Sequence, residues 1–349
     1  MPLEPMTLEI IRGLPKTDLH CHLDGSIRIS TLIELAKKRK VELPTTDEEQ
    51  LKLILQAGPQ VKNLKDYLRA FDITLSVMQD DEDIFRVARE LCEDAWDDGV
   101  WYLEVRFSPI LHQQKGLTLT RVMEAVLSGL REGEDKTGIH ARVIVCGIRQ
   151  IEPSVSVKLA EVAAAFKEQG VVGFDLAGNE DHYPAKDHAA AFYLIRSNNI
   201  PCTVHAGEAW GPGSIKQALH DLNAHRIGHG TRLKEDGGLL NYVNNHRIPL
   251  ECCISSNIHV GTIKSIEEHP IKFYYDFGLR VTVNTDNRLM SATSVSNELF
   301  LAHKKLNFDR SAIEDVIIMG FKSAFLPYQE RKHLLKKALT AMGRVHVPF

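Results

Sequence analysis

Ala141-Arg-Val-Ile-Val-Cys-Gly-Ile148 is almost continuous in apolar and β-branched residues and lacks the polar alternation of a half-exposed strand. A strand buried on both faces reads this way, as in a parallel sheet covered by helices. Similar short runs occur at 17–22, 101–108, 171–176, 201–206, 226–229, 249–254 and 279–285. Between them, segments such as 83–97 and 154–169 space their apolar residues three and four apart, the pattern of an amphipathic helix lying on a sheet. Strand and helix therefore alternate, and the class is α/β. Eight strands suit a closed (β/α)₈ TIM-type barrel better than an open sheet with a second domain. One stretch breaks the alternation. Residues 27–77 read as helical throughout, with Thr31-Leu-Ile-Glu34 and Thr46-Asp-Glu-Glu49 as capping boxes. This is expected to be an insertion after strand 1, forming a lid over the carboxyl end of the barrel. No linker, repeat or low-complexity tract divides the rest, so one domain is expected over 1–349.

Composition narrows the function. The chain has 349 residues, 44% of them hydrophobic and 25% charged, with 42 basic against 46 acidic side chains and a net charge of −4. That balance would not draw a polyanion, so no nucleic-acid partner is expected. Six cysteines without a CxxC pair argue against thiolate metal sites and for a reducing compartment. With no long apolar window and no basic-then-apolar start, no membrane partner and a cytoplasmic location are expected.

The unusual polar residues gather at the carboxyl ends of the proposed strands. Strand 1 carries His20 and His22, two residues apart on extended chain; such side chains share a face with Cα atoms about 7 Å apart, within reach of one ion. Strand 5 ends in His205, with Glu208 just beyond a glycine that can turn the chain and re-aim the carboxylate. Strand 6 ends in His229 between two glycines, and strand 8 in Asp286. Each has a bland alternative: a packing pair, loop punctuation, a helix N-cap. Their convergence at one end of one sheet is the stronger observation. Three histidines and an aspartate (His20, His22, His205, Asp286) offer zinc neutral nitrogens and a hard oxygen while leaving room for water. Metal-assisted hydrolysis is the chemistry implied. Residues 171–178 contain no lysine to bridge a second metal, so one ion per chain is expected, with His229 free to orient or deprotonate the water and to stabilise developing negative charge.

Five motifs then fall into a recognisable order: Pro15-Lys-Thr-Asp-Leu-His-Cys-His-Leu-Asp-Gly25, Phe174-Asp-Leu-Ala-Gly-Asn-Glu180, Val204-His-Ala-Gly-Glu208, His225-Arg-Ile-Gly-His-Gly230 and Asn284-Thr-Asp286. Over nearly its whole length the chain resembles the adenosine deaminase branch of the amidohydrolase superfamily. The resemblance implies that His20, His22, His205 and Asp286 hold one Zn²⁺, and that Glu208 hydrogen-bonds purine N1 and supplies the ring proton as water attacks C6. It further implies that the Gly178 N–H meets purine N3, that Asp24 accepts the ribose 5′-hydroxyl, and that the reaction serves purine salvage. Asn63-Leu-Lys-Asp-Tyr-Leu-Arg-Ala-Phe-Asp72 resembles the family's lid, with Leu64, Tyr67, Leu68 and Phe71 as apolar cover. One departure is Asn287, where many members have aspartate facing purine N7. An amide donates to N7 at any pH, whereas a carboxyl must be protonated to do so.

Two other readings stay open: the same chemistry on adenine or another 6-aminopurine, and a purine-binding barrel that has lost turnover. Asp24 favours a nucleoside, since its carboxylate has no partner on free adenine. Gly211-Pro-Gly213 lacks the rest of a dinucleotide fingerprint. Lys37-Lys-Arg-Lys40 reads as the basic close of a helix. The HxE and PCxxC pattern of cytidine-type deaminases is absent.

Overall fold

The computed structural model describes residues 6–56 and 70–344. Its eight parallel strands are β1 (Lys16–His22), β2 (Val100–Phe107), β3 (His140–Ile148), β4 (Val171–Ala177), β5 (Thr203–Ala206), β6 (Arg226–His229), β7 (Leu250–Cys252) and β8 (Val281–Val283). They pair in chain order as two runs, β1 to β4 and β5 to β8. Parallel bridges Cys21↔Asp286 and Phe174↔Cys202 join the runs at both seams and close the barrel. The predicted strands are all present, and the last ones are shorter for local reasons. Pro249 has no N–H to give a ladder, and Cys253 already serves as N-cap of the helix Ile254–His259.

Helices cover the outside. Asp81–Asp97 precedes β2 and buries Ile84, Val87, Ala88, Leu91, Cys92 and Ala95, one stripe at three- and four-residue spacing. Leu119–Thr137, Pro153–Ala165, Ala189–Ser197, Gly237–Asn245 and Ile271–Phe277 fill other connections, and Arg310–Ser323 follows β8. The expected insertion contains Ile29–Arg39, Glu48–Leu55 and Ala70–Val77. Neither predicted capping box forms. Arg28 occupies the N-cap of the first helix, while Thr31 lies inside it and donates to Glu90 Oε2 at 2.6 Å. Asp47, not Thr46, caps the second by accepting from the Gln50 N–H. Lys37, Lys38 and Arg39 do close the first helix, where cations suit its carbonyl end. Leu64, Tyr67 and Leu68 lie outside the described residues. Among the described residues no helix is long and apolar enough to cross a membrane, and all six cysteines are buried and unpaired.

The barrel interior is polar at its centre. Arg106, from β2, donates to Asp175 Oδ2 at 3.0 Å, to Glu251 Oε2 at 2.9 Å and to the Leu19 carbonyl at 2.6 Å. Arg226, from β6, donates to Glu251 Oε1 at 2.6 Å and also pairs with Glu104. All of these side chains are buried. Charges there persist only when paired and hydrogen-bonded, so the network ties β2, β4, β6 and β7 together directly beneath the strand ends that carry the chemistry.

Candidate active site

β1 brings in His20 and His22, β5 brings His205, and the turn after β8 brings Asp286. One potential ligand atom from each lies within 4.8 Å of the others. The spacing is that of donors around a single ion: His22 Nε2 to His205 Nε2 is 3.2 Å, and Asp286 Oδ1 is 3.4 Å from both His20 Nε2 and His22 Nε2. Tetrahedral zinc with ligands about 2.0–2.2 Å away separates its donors by roughly 3.3–3.5 Å. His20 Nε2 is buried without a hydrogen-bond partner, a cost that a cation would remove. Burial lowers the pKa values of His22 and His205, leaving them neutral as ligands must be. The four residues therefore fit a divalent metal.

Two of the imidazoles are oriented from behind. His20 Nδ1 lies 2.8 Å from Glu251 Oε2, and His205 Nδ1 lies 2.9 Å from Asp175 Oδ2. These contacts place the proton on Nδ1 and free Nε2 for the ion. Burial opposes both carboxylate charges, but the His205 Nδ1–H and the Arg106 guanidinium at Asp175, and Arg106 with Arg226 at Glu251, outweigh it and hold both acids well below their usual range. Ser256 Oγ donates to Asp286 Oδ2 at 2.5 Å, leaving Oδ1 to face the histidines. Asp286 has φ +59° and His229 φ +62°, left-handed values uncommon for residues with a Cβ. Strain of this kind clusters at functional sites.

Glu208 reaches the cluster because Gly207 turns the chain at φ +73°. A carboxylate three residues past His205 on regular strand would face the other way. Glu208 Oε1 accepts from Asn257 Nδ2 at 3.0 Å and sits 3.4 Å from His229 Nδ1. Asn257 Nδ2 also lies 3.1 Å from His229 Nδ1, while its Oδ1 accepts from Thr231 Oγ1 and faces His269 Nε2. With Nδ1 accepting, the His229 proton sits on Nε2. Burial, then the Asp286 and Glu180 charges, push the Glu208 carboxyl well above its ordinary value, toward the protonated form. Glu180 in turn accepts the N–H groups of Glu208 at 3.3 Å and Trp210 at 2.7 Å.

All this borders a cavity of about 220 Å³ whose lining includes His22, His205, Glu208, His229, Asp286, Asp24, Gly178 and Asn287. His20 lies one layer deeper, fully buried. Asp24 Oδ1 and Asn287 Oδ1 are buried without partners, and burial, reinforced by Asp286, pushes the Asp24 carboxyl up to about 7. Phe71, Asp72 and Leu75 enter the lining from the helix Ala70–Val77. Every site residue expected from the sequence that lies among the described residues is thus at this one end of the barrel. Glu251, Asp175, Arg106, Asn257 and Glu180 were missed. The signal for three of them was present: an acid or arginine inside an otherwise apolar strand has to be paired with something.

A parallel barrel with a three-histidine, one-aspartate pocket at its carboxyl end and a buried acid alongside is the arrangement of a metal-assisted hydrolase. The family model for adenosine deaminase matches residues 15–341, and the chain belongs to the adenosine deaminase family. It is 39% identical to the adenosine deaminase of Clostridium acetobutylicum over 94% of this chain and 98% of that protein. It is 46% identical to a probable adenosine deaminase of Dictyostelium discoideum over 96% of this chain, spanning 44% of that longer protein. The crystal structure of an Arabidopsis N6-mAMP deaminase superposes with TM-score 0.85 at 29% identity, covering 95% of this chain and 99% of that one.

Proposed function

We propose that this protein is a cytoplasmic, single-domain zinc hydrolase with one ion per chain, converting adenosine and 2′-deoxyadenosine to inosine and deoxyinosine plus ammonia in purine salvage. The observation that carries the reading is that Glu208 and a four-donor metal pocket border one small cavity. When bound, zinc supplies Lewis acidity that makes water a nucleophile near neutral pH. The protein's own groups do the rest. Glu208 gives its proton to ring N1 as water adds at C6; the water's proton passes by way of Asp286 to the exocyclic amine, the C6–N6 bond breaks to release ammonia, and the C6 hydroxyl proton returns to the Glu208 carboxylate as the carbonyl forms. His229, with Nδ1 facing the Asn257 amide and its proton on Nε2, orients the water and donates a hydrogen bond to the oxygen that gains charge. The Gly178 N–H meets N3, the Asn287 amide donates to N7, and Asp24 accepts the 5′-hydroxyl. The inserted helices, with Phe71 and Leu75 on the cavity wall, act as a lid that keeps bulk water out.

A nucleotide substrate, suggested by the N6-mAMP deaminase neighbour, fits less well. The described lining carries Asp24 and Asp72 and no lysine or arginine to meet a phosphate. Free adenine would leave Asp24 without its hydroxyl. Ultraviolet assays of adenosine, 2′-deoxyadenosine, adenine and N6-methyl-AMP side by side test the reading. Turnover is expected with the two nucleosides; activity confined to adenine or to the nucleotide would overturn it, and zinc bound with no turnover of any would revive the binding-protein reading.

A further inference from the structure

The end of the barrel opposite this site holds a second, larger cavity of about 530 Å³. It lies where the strands begin. Val171 starts β4, Arg226 starts β6, and Pro201, Pro249 and Arg280 stand just before β5, β7 and β8. Its floor is apolar, with Ile200, Pro201, Pro249 and Leu326. Its walls are cationic: Arg247, Arg280, Lys322 and Arg331 line it, against Glu168 as the only acid among the described lining residues.

Three of these cations have no acid to neutralise them among the described residues. Among the described residues Arg247 donates only to Asn244 Oδ1 and the Gly278 carbonyl, at 3.0 and 2.7 Å. Arg331 donates to the Ala324 carbonyl at 3.2 Å, and its Nε is buried without a partner. Arg280 is half-buried and feels Arg247 and Arg331 only as repelling charges. Arg226, at the same end of the barrel, shows the contrast: Glu104 and Glu251 hold it, and its guanidinium stacks 3.5 Å from the Phe325 ring centre. Like charges gathered in a half-buried pocket repel one another, and an anion placed among them turns that repulsion into attraction. Planar guanidinium groups match phosphate oxygens two at a time, and an apolar floor that excludes water strengthens such contacts.

We propose that this cavity binds a small phosphate-bearing anion, with Arg280 and Arg331 as its principal donors and Arg247 beside them. The site is separate from the deaminase chemistry, at the other end of the strands, and the reaction uses none of these three arginines.

Calorimetric titration of the full-length protein with inorganic pyrophosphate, at ionic strength fixed with chloride, tests it against R280Q and R331Q. Saturable binding at one anion per chain is expected, weakened about tenfold or more in either variant. R280Q removes a repelled charge, so without anion it should melt no lower than the parent, and it should lose the pyrophosphate-induced rise in Tm. Absence of saturation by about 10 mM pyrophosphate, or equal affinity in parent and variants, overturns the proposal. Adenosine turnover in the same preparations reports separately on the other site.

Discussion

Asp175 Oδ2 stands 2.9 Å from His205 Nδ1. Arg106 binds that same oxygen at 3.0 Å, so the carboxylate is both charged and fixed behind the imidazole. Substituting Asp175→Asn keeps the shape and removes the charge. Metal affinity should fall about 10–100-fold, read by competition with a chelator, and activity should return in excess zinc. Unchanged metal affinity would remove Asp175 from the site's construction.

Glu208 and Glu180 form a coupled pair of acids. Burial pushes Glu180 up to about 7, and its charge helps keep Glu208 protonated. With Glu208 as the proposed proton donor, kcat should decline as pH rises past its elevated pKa. Glu180→Gln removes a nearby negative charge, makes Glu208 easier to ionise and should move that alkaline limb to lower pH, by about one unit or less. Glu208→Gln should keep its metal and lose about 10²–10⁴ in kcat. An alkaline limb that stays put in Glu180→Gln, or near-normal turnover in Glu208→Gln, contradicts the assignment.

Asp24 is buried with one oxygen unpartnered at the cavity. If it accepts the 5′-hydroxyl, Asp24→Ala should cost about 1.5–3 kcal/mol of adenosine recognition, roughly 10–100-fold in kcat/KM. The same variant should treat 5′-deoxyadenosine much as the parent does. Equal losses on both substrates would assign Asp24 a purely structural role.

Much of this was legible in the sequence because the residues responsible are chemically out of place: histidines and acids at the ends of apolar runs. The turn required between His205 and Glu208 was legible too, because Gly207 supplies it. Asn257 went unnoticed, and Glu180, though it closes one of the five motifs, was given no role, because both gain meaning only through the atoms they meet in three dimensions. Asp286 read equally well as a helix cap; its φ of +59° and its bridge to Cys21, which decide the matter, are tertiary facts. The first capping box failed because Thr31 found a buried glutamate across the helix pair, a partner no local motif reveals, and the second because Asp47 took the cap one residue later.

The central ion network should be expensive to break. Arg226→Met leaves Glu104 and Glu251 buried with an uncompensated charge, a loss of about 3–5 kcal/mol in denaturant unfolding at neutral pH. Burial opposes the Glu251 charge, but Arg106 and Arg226 outweigh it and hold its pKa well below the ordinary value. The unfolded chain therefore takes up this proton first, and the stability it contributes is lost as pH falls below about 4.3. The deficit of the variant should narrow over that range; a deficit independent of pH, or under about 1 kcal/mol, would show that the network is not under this electrostatic control.

The most direct measurement is a crystal structure of the zinc-loaded protein with anomalous data at the zinc edge. One peak per chain is expected, about 2.0–2.2 Å from His20 Nε2, His22 Nε2, His205 Nε2 and an Asp286 oxygen. A peak elsewhere, or none in protein that deaminates adenosine at full rate, would contradict the account.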